Sequence, residues 1–134
     1  MKAPILLALA ALSTAQAAEP TGTLTLACKG TETERGGAGT SSDEINLGVI
    51  VDFQKKAVLG LSSGEPVPVP ITSISETTIS FDIAISEVGW VMTGTLDRVT
   101  GALVASSLKS NPSTGKIILS VSLDLQCRPT QRMF

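Results

Sequence analysis

Apolar side chains recur at every second residue along most of this chain, and this alternation restricts the fold more than any other feature. The clearest run covers residues 116–127, where Ser120, Ser122, Asp124 and Gln126 oppose an apolar face. The members of that face are Ile117, Leu119, Val121, Leu123, Leu125 and Cys127. A period of two places successive side chains on opposite sides of a β-strand, whereas a helix requires a period of about 3.6. The run therefore predicts a half-buried strand.

Shorter runs of the same kind are separated by segments rich in Gly, Pro, Ser and charged residues. They lie at residues 24–28, 45–53, 57–61, 67–75, 77–86, 89–97 and 102–109. Pro66, Pro68 and Pro70 cannot donate ladder hydrogen bonds, so the run at 67–75 is predicted to be an edge strand or a bulged one.

About eight short strands joined mostly by tight turns predict an all-β domain. We expect an antiparallel up-and-down meander that closes into a small barrel or forms a strongly curved sheet. A β-sandwich is the alternative. An outer-membrane barrel is disfavoured, because the last eight residues, CRPTQRMF, do not alternate and contain a proline.

Two cysteines lie near opposite ends of the domain, Cys28 in the first run and Cys127 in the last. Each lies on the apolar face of its run, so both point to the same side of the sheet. They lack the C-x-x-C spacing, and the chain contains no histidine that could complete a metal site. In an exported protein such a pair predicts a disulfide rather than redox or metal chemistry. The bond would join the first strand to the last, which are neighbours in a closed meander.

The N-terminal segment, MKAPILLALAALSTAQA, has the order of a secretory signal peptide, with Lys2 followed by an apolar run and then small residues. The apolar run is shorter than the about 20 residues that a transmembrane helix needs. We expect cleavage after Ala17 or Ala18, so that residues 1–17 are the signal peptide and residues 18–134 form a single β domain. No later apolar segment is long enough for a membrane span, which predicts a periplasmic or secreted protein.

Charge and aromatic content disfavour several classes of ligand. Without Lys2 the chain has nine basic and twelve acidic side chains, and this net charge of −3 does not indicate nucleic acid or an anionic membrane as a partner. Three Phe, one Trp and no Tyr are few for a cleft built on stacking. The absence of histidine excludes Ser-His-Asp and Cys-His nucleophiles. With no catalytic motif, we expect neither an enzyme nor a cofactor.

The segment LDRVTGAL, residues 96–103, predicts a hairpin turn. Gly101 lies where a type I turn followed by a left-handed residue needs a positive φ. Asp97 can accept backbone N–H groups from the first turn position. Arg98 would then lie at the tip of the turn, as a candidate for contact with an anion or a partner.

A polar segment, TETERGGAGTSSDE at residues 31–44, carries Arg35 and four carboxylates. The carboxylates are Glu32, Glu34, Asp43 and Glu44. Carboxylates in a Gly-rich segment can bind Ca²⁺, but this spacing matches no EF-hand or nonapeptide repeat. The composition instead predicts a flexible, solvated loop.

Two further features concern aromatic residues. Trp90 shares a face with Met92 and Leu96, so we expect it in the core, with the lining of a pocket as the alternative. For the C-terminal tail, Arg128 to Phe134, we expect one of three arrangements: packing on the barrel, fraying, or contact with a partner.

Five motifs are distributed along the mature chain: LACKG, INLGVIVDF, TTISFD, GTLDRVTGAL and LDLQCRPTQRMF. In this combination the chain resembles small secreted two-cysteine β proteins of rhizobial alphaproteobacteria. The resemblance implies a secreted β domain and brings no activity, ligand or catalytic residue with it. The two-cysteine secreted barrel is also similar in plan to periplasmic inhibitors of c-type lysozyme, an analogy of fold alone.

These observations favour a non-enzymatic periplasmic module that binds an envelope protein, another envelope component or a small apolar ligand. A structural or stress-related envelope protein without a defined ligand is the alternative, and an enzyme is the least favoured class. An apolar cavity lined by Trp90, Phe81 and Ile83 would support small-ligand binding. An exposed apolar patch would support a protein partner, and two facing carboxylates in a cleft would support an enzyme.

Overall fold

A computed structural model describes residues 21–61 and 67–130 of the chain as eight antiparallel strands. They are β1 Thr23–Gly36, β2 Gly39–Asp52, β3 Ala57–Leu59, β4 Val69–Ile74, β5 Thr78–Ile85, β6 Trp90–Asp97, β7 Ala102–Ser110 and β8 Ile117–Pro129. Each strand is hydrogen-bonded to the next in chain order, and β8 also pairs with β1. The sheet therefore closes into a barrel, which confirms the predicted all-β meander in place of the sandwich.

The predicted signal peptide, residues 1–17, lies outside the described residues, as does the end of the C-terminal tail at 131–134. The start of the tail continues β8 as far as Pro129. The backbone N–H of Thr130 then donates to the Thr25 carbonyl at 2.9 Å. Within the described ranges no helix is long and apolar enough to cross a bilayer.

A single apolar core occupies the barrel. Its largest fully buried side chains are Phe81, Ile79, Leu103, Val49, Val51, Val58, Val69 and Cys28. Phe81 lies directly opposite Gly94 in the β5–β6 register. A Cβ atom at position 94 would lie 2.5 Å from the Phe81 ring, so only glycine leaves room for the ring there. The middle of the barrel is thus filled by side chains, as expected for eight strands.

β1 and β2 form a hairpin of two 14-residue strands, and the prediction of a flexible loop at residues 31–44 is wrong. Only residues 37–38 form the turn, and pairing continues until Gly36 lies opposite Gly39. The same part of β1 also pairs with residues 119–124 of β8. The segment therefore has ladder partners despite its polar composition. Its polarity reflects the exposure of this end of the barrel and not a lack of regular structure.

β3 and β4 are the shortest strands of the barrel. β3 pairs with only the last three residues of β2. The register between β4 and β5 shifts between Ile71 and Ser73, so the predicted bulged strand is confirmed. β4 is not an edge strand, because it has β3 on one side and β5 on the other.

The Cys28–Cys127 disulfide fastens the seam where the barrel closes. The two cysteines are directly opposed in the β1–β8 register, with Cα atoms 4.0 Å apart, and both are buried. The predicted disulfide is therefore confirmed. It is compatible with an oxidising, extracytoplasmic location.

Candidate functional site

Inward-facing positions change from apolar to acidic along β1. Leu26 and Cys28 are buried in the core, and the same inward face continues through Gly30 to Glu32 and Glu34. Alternate residues of a strand share one face, so both carboxylates are directed towards the barrel interior. They lie beyond the filled core because β1 extends past it.

A cavity of about 150 Å³ lies at this end of the barrel. It is lined by Glu32, Glu34, Leu61, Trp90, Met92, Ser107, Val121 and Leu123. The cavity therefore has mostly apolar walls with a hydroxyl group and two carboxyl groups.

The strand registers explain how this lining is assembled. One row across four strands joins Met92 to Ser107, Ser107 to Val121, and Val121 to Glu34. The neighbouring row brings Leu123 opposite Glu32. The side chain of Ser107 is smaller than those of Met92 and Val121, its neighbours in this row. This difference in size leaves space inside the barrel.

The surroundings of the Glu32 carboxyl disfavour its ionised form relative to its protonated form. Its pKa is raised, first by burial and then by the charge of Glu34, by a hydrogen bond with the Glu34 side chain and by the charge of Asp43. Asp43 lies opposite Glu32 in the β1–β2 register. Titratable groups shifted in this way within a cleft are candidates for a functional role.

This pair of carboxylates is not among the sites predicted from the sequence, because the composition of residues 31–44 predicts a loop. The signal was present in the sequence. If residues 28–34 form one continuous strand, every second residue after Cys28 lies on its inward face. These residues are Gly30, Glu32 and Glu34.

Trp90 is half-buried, packs against the core and also lines the cavity, so the structure combines its predicted core position with the alternative pocket position. Phe81 is 1% exposed and belongs to the filled core. Ile83 is half-buried against that core. Trp90 thus lines a cavity, but the predicted Phe81 and Ile83 are not part of its lining.

The four carboxylates of the polar segment are divided between the two faces of the hairpin. Glu44 lies opposite Thr31 on the outer face, whereas Glu32 lies on the inner face. Among the residues that the structure describes, no group of three or more His, Cys, Asp or Glu side chains could hold a metal ion. Strand alternation thus separates Glu44 from Glu32, Glu34 and Asp43, which share the inner face.

The β6–β7 turn has the geometry expected from its sequence. Asp97 Oδ1 accepts the backbone N–H groups of Thr100 at 3.0 Å and Val99 at 2.8 Å, and these bonds lower the pKa of Asp97. Gly101 has a φ of 81° and donates its N–H to the Asp97 carbonyl at 2.9 Å. The turn lies at the opposite end of β6 from Trp90, and therefore at the opposite end of the barrel from the cavity.

Arg98 bonds to the neighbouring turn of its own chain. Its guanidinium donates to the Ser75 carbonyl, and its backbone N–H donates to the Thr77 carbonyl at 2.7 Å. The side chain thereby links the β4–β5 turn to the β6–β7 turn. Its contact with an external partner stays a prediction.

The outer surface also has exposed apolar side chains at the cavity end of the barrel. Val91 and Leu108 lie directly opposite each other on the outside of β6 and β7. Val88 is exposed in the turn before β6, and Ile117 and Ile118 are exposed at the start of β8.

Comparison with protein-family models, with curated proteins and with solved structures returns no match for this chain. The assignment of a function therefore depends on the geometry of the barrel and its cavity.

Proposed function

We propose that this protein is a non-enzymatic binding module of the periplasm, and that the cavity beside Trp90 holds an apolar group of its ligand. The observation that supports this most is the cavity lining, where Met92, Leu123 and Trp90 surround a space that also contains a few polar groups. Ligand sites are typically concave, mostly apolar and provided with a few polar groups, and the mouths of β-barrels are common places for them.

The size of the cavity limits what enters it. A cavity of about 150 Å³ can accept a group the size of benzene, whereas complete drug-sized ligands occupy about 300–1,000 Å³. With a volume of about 150 Å³, the cavity at Trp90 is too small for a complete drug-sized ligand. It suits a ring or a short alkyl chain, either as a small ligand or as one group of a larger one.

Catalysis is a weaker explanation of the carboxylate pair. Glycoside hydrolysis, the common reaction of two carboxyl groups, needs them about 5 to 9.5 Å apart on either side of the scissile bond. Glu32 and Glu34 project from the same face of one strand, two residues apart. Two side chains on one face of one strand cannot lie on either side of a scissile bond.

The periplasmic location is part of the proposal. It is supported by the N-terminal sequence with its signal-peptide order, by the disulfide, and by the resemblance to secreted two-cysteine proteins of rhizobial alphaproteobacteria. Fractionation of a Gram-negative host, with mass measurement of the intact chain, tests it. We expect a periplasmic protein that lacks residues 1–17 or 1–18. A full-length cytosolic chain would contradict the proposed location.

Blocking the cavity tests the binding function. Ser107→Phe places a ring in the cavity, and Ser106→Phe places the same ring on the outer face of the same strand. Toluene, a probe of suitable size, should raise the Tm of the wild type and of Ser106→Phe, because it binds the folded state. It should have little effect on Ser107→Phe. Equal shifts in all three proteins would contradict binding in this cavity.

The native ligand can be sought with the same pair of variants. The protein is isolated from the periplasm, and co-purifying lipids, small molecules and proteins are identified by mass spectrometry. We expect a molecule that accompanies the wild type and Ser106→Phe but not Ser107→Phe. A partner that is lost only after mutation of Val91 or Leu108 would instead identify the exposed outer surface as the functional one.

A further inference from the structure

The two carboxylates give the cavity a charge that a neutral ligand would not use. Glu32 and Glu34 line it together with apolar walls, and Asp43 is the nearest residue across the hairpin from Glu32. A neutral apolar group can fill the apolar part of the cavity, but it offers no hydrogen bond to the half-buried Glu32 or to the exposed Glu34. A carboxylate that is partly removed from water is stabilised by a nearby opposite charge. The complementary ligand is therefore positively charged.

We propose that the cavity binds an alkylammonium group, with its alkyl stem against Met92 and Leu123 and its ammonium at the Glu32 and Glu34 carboxylates. This inference rests on the proposed binding function and specifies its ligand class.

The hydrogen-bonding capacity of an ammonium group matches this site. An ammonium offers three donors and no acceptor, whereas an ionised carboxylate only accepts. Charge-assisted hydrogen bonds of this type are about twice as strong as neutral ones. Burial, the neighbouring charges and the contact with Glu34 all raise the pKa of Glu32. A bound cation would oppose these influences, and one ammonium can satisfy both carboxylates.

Trp90 provides an additional favourable contact. It is half-buried at the cavity wall, on the same lining as the carboxylates. A cation within about 6 Å of an indole ring is attracted by the negative face of the ring, most strongly where water is excluded.

An organic cation fits better than a metal ion. Ca²⁺ requires about six to eight oxygen ligands. Most of the residues that line this cavity are apolar, and no metal-binding group of three acidic or sulfur side chains occurs among the described residues. The apolar walls are suited to the methylene groups of an alkylammonium, which behave like the stem of a lysine side chain.

The test compares n-butylammonium with 1-butanol, which has the same alkyl chain and no charge. Trp90 is the only tryptophan in the chain, so its fluorescence reports on the cavity without interference from another indole. We expect n-butylammonium to bind the wild type at least about tenfold more tightly than 1-butanol, since hydrogen bonds to charged groups are stronger than those between neutral groups. Equal affinities would overturn the inference.

Charge-neutralising variants locate the ammonium. Glu32→Gln and Glu34→Gln should each weaken n-butylammonium binding about tenfold and leave 1-butanol binding unchanged or improved. Glu44→Gln removes the same charge from the outer face of the hairpin and should have no effect. Equal losses in all three variants would indicate attraction by net charge and would overturn the site. Unfolding curves verify that each variant is folded.

A further titration distinguishes two sources of the ammonium group, a lysine side chain of a protein and a small free amine. A short Gly-rich peptide with one central lysine is titrated beside n-butylammonium. Tighter binding of the peptide identifies a lysine side chain of a protein as the source, and tighter binding of the free amine identifies a small molecule. If toluene binds but n-butylammonium has no advantage over 1-butanol, only the charge inference fails. If neither toluene nor n-butylammonium binds, the proposed function fails with it.

Discussion

The backbone N–H of Cys127 donates a hydrogen bond to the carbonyl oxygen of Gly101 at 2.8 Å. The β6–β7 turn is therefore attached to the residue whose disulfide closes the barrel. A Cβ atom at position 101 would overlap the Cys127 carbonyl oxygen. Two separate constraints, a positive φ and a close backbone approach, thus require glycine at this position.

Gly101→Ala should lower the free energy of unfolding by more than about 2 kcal/mol, because it combines left-handed strain of about 1–2 kcal/mol with a steric overlap. Gly115→Ala is the matched control. Gly115 has a φ of 73°, but a Cβ there would meet nothing within 4 Å. Urea denaturation measures both variants. Equal losses would show that the contact with Cys127 contributes nothing.

Removal of the disulfide should lower the free energy of unfolding by about 4–5 kcal/mol. The bond joins residues 99 positions apart, and in the chain-entropy model a loop of about 100 residues is worth about 4.7 kcal/mol. The Cys28→Ala/Cys127→Ala double variant tests this by urea denaturation. A loss below about 1 kcal/mol would mean that the β1–β8 pairing closes the barrel with little covalent help.

Gly94→Ala should destabilise the protein by about 1–3 kcal/mol, which is the usual cost of overpacking a core. The added methyl group would lie 2.5 Å from the Phe81 ring. Phe81→Leu also destabilises, but it removes the ring that causes the overlap. A double-mutant cycle should therefore give a combined loss smaller than the sum of the two. Strict additivity would contradict the close contact.

Asp97 should make stability depend on pH in the acid range. Backbone hydrogen bonds from Thr100 and Val99 lower its pKa from the ordinary 3.8. Its contribution is therefore fully present above about pH 3.8 and disappears as the pH falls through the lower folded-state pKa. The Tm difference between wild type and Asp97→Asn should shrink over that window. A difference that stays constant down to pH 2 would contradict the role of the charged form.

Glu32 should make stability depend on pH in the opposite direction from Asp97. Burial and the neighbouring carboxylates raise its pKa above the ordinary 4.5. The folded state therefore holds the proton more tightly than the unfolded state. Stability decreases as the pH rises from 4.5 through the folded-state pKa. Glu32→Gln should remove this decrease and raise the Tm at neutral pH, whereas Glu44→Gln should leave it in place. A lower Tm for Glu32→Gln at neutral pH would contradict the unfavourable charge.

The sequence was sufficient to predict the elements whose alternation is apolar on one side. β5, β6 and β8 follow from their apolar faces, and the disulfide follows from the placement of Cys28 and Cys127 on such faces. The second half of β1 could not be predicted in this way, because both of its faces are polar near the barrel end. Its strand structure depends on pairing with β2 and β8, which is information from distant parts of the chain.

The candidate site was predictable only in part, for the same reason. Trp90 was identified as a residue that could line a pocket. The carboxylates were treated as neighbours in a loop, and so the division between inward Glu32 and Glu34 and outward Glu44 was missed. The cavity itself arises from side-chain sizes along a row of four strands, and such a row exists only once the registers are known.

The unequal lengths of β2 and β3 leave part of one strand edge unpaired. β3 covers only residues 50–52 of β2, so among the described residues the stretch 39–49 has a strand partner on one side alone. Such an edge is a template for sheet growth between molecules. Here it carries the charges of Asp43 and Glu44 and the glycines at 39 and 48, which disfavour the stacking of identical copies. The polar hairpin that resembles a loop in the sequence thus places charges along an unpaired strand edge, an arrangement by which proteins disfavour pairing between copies.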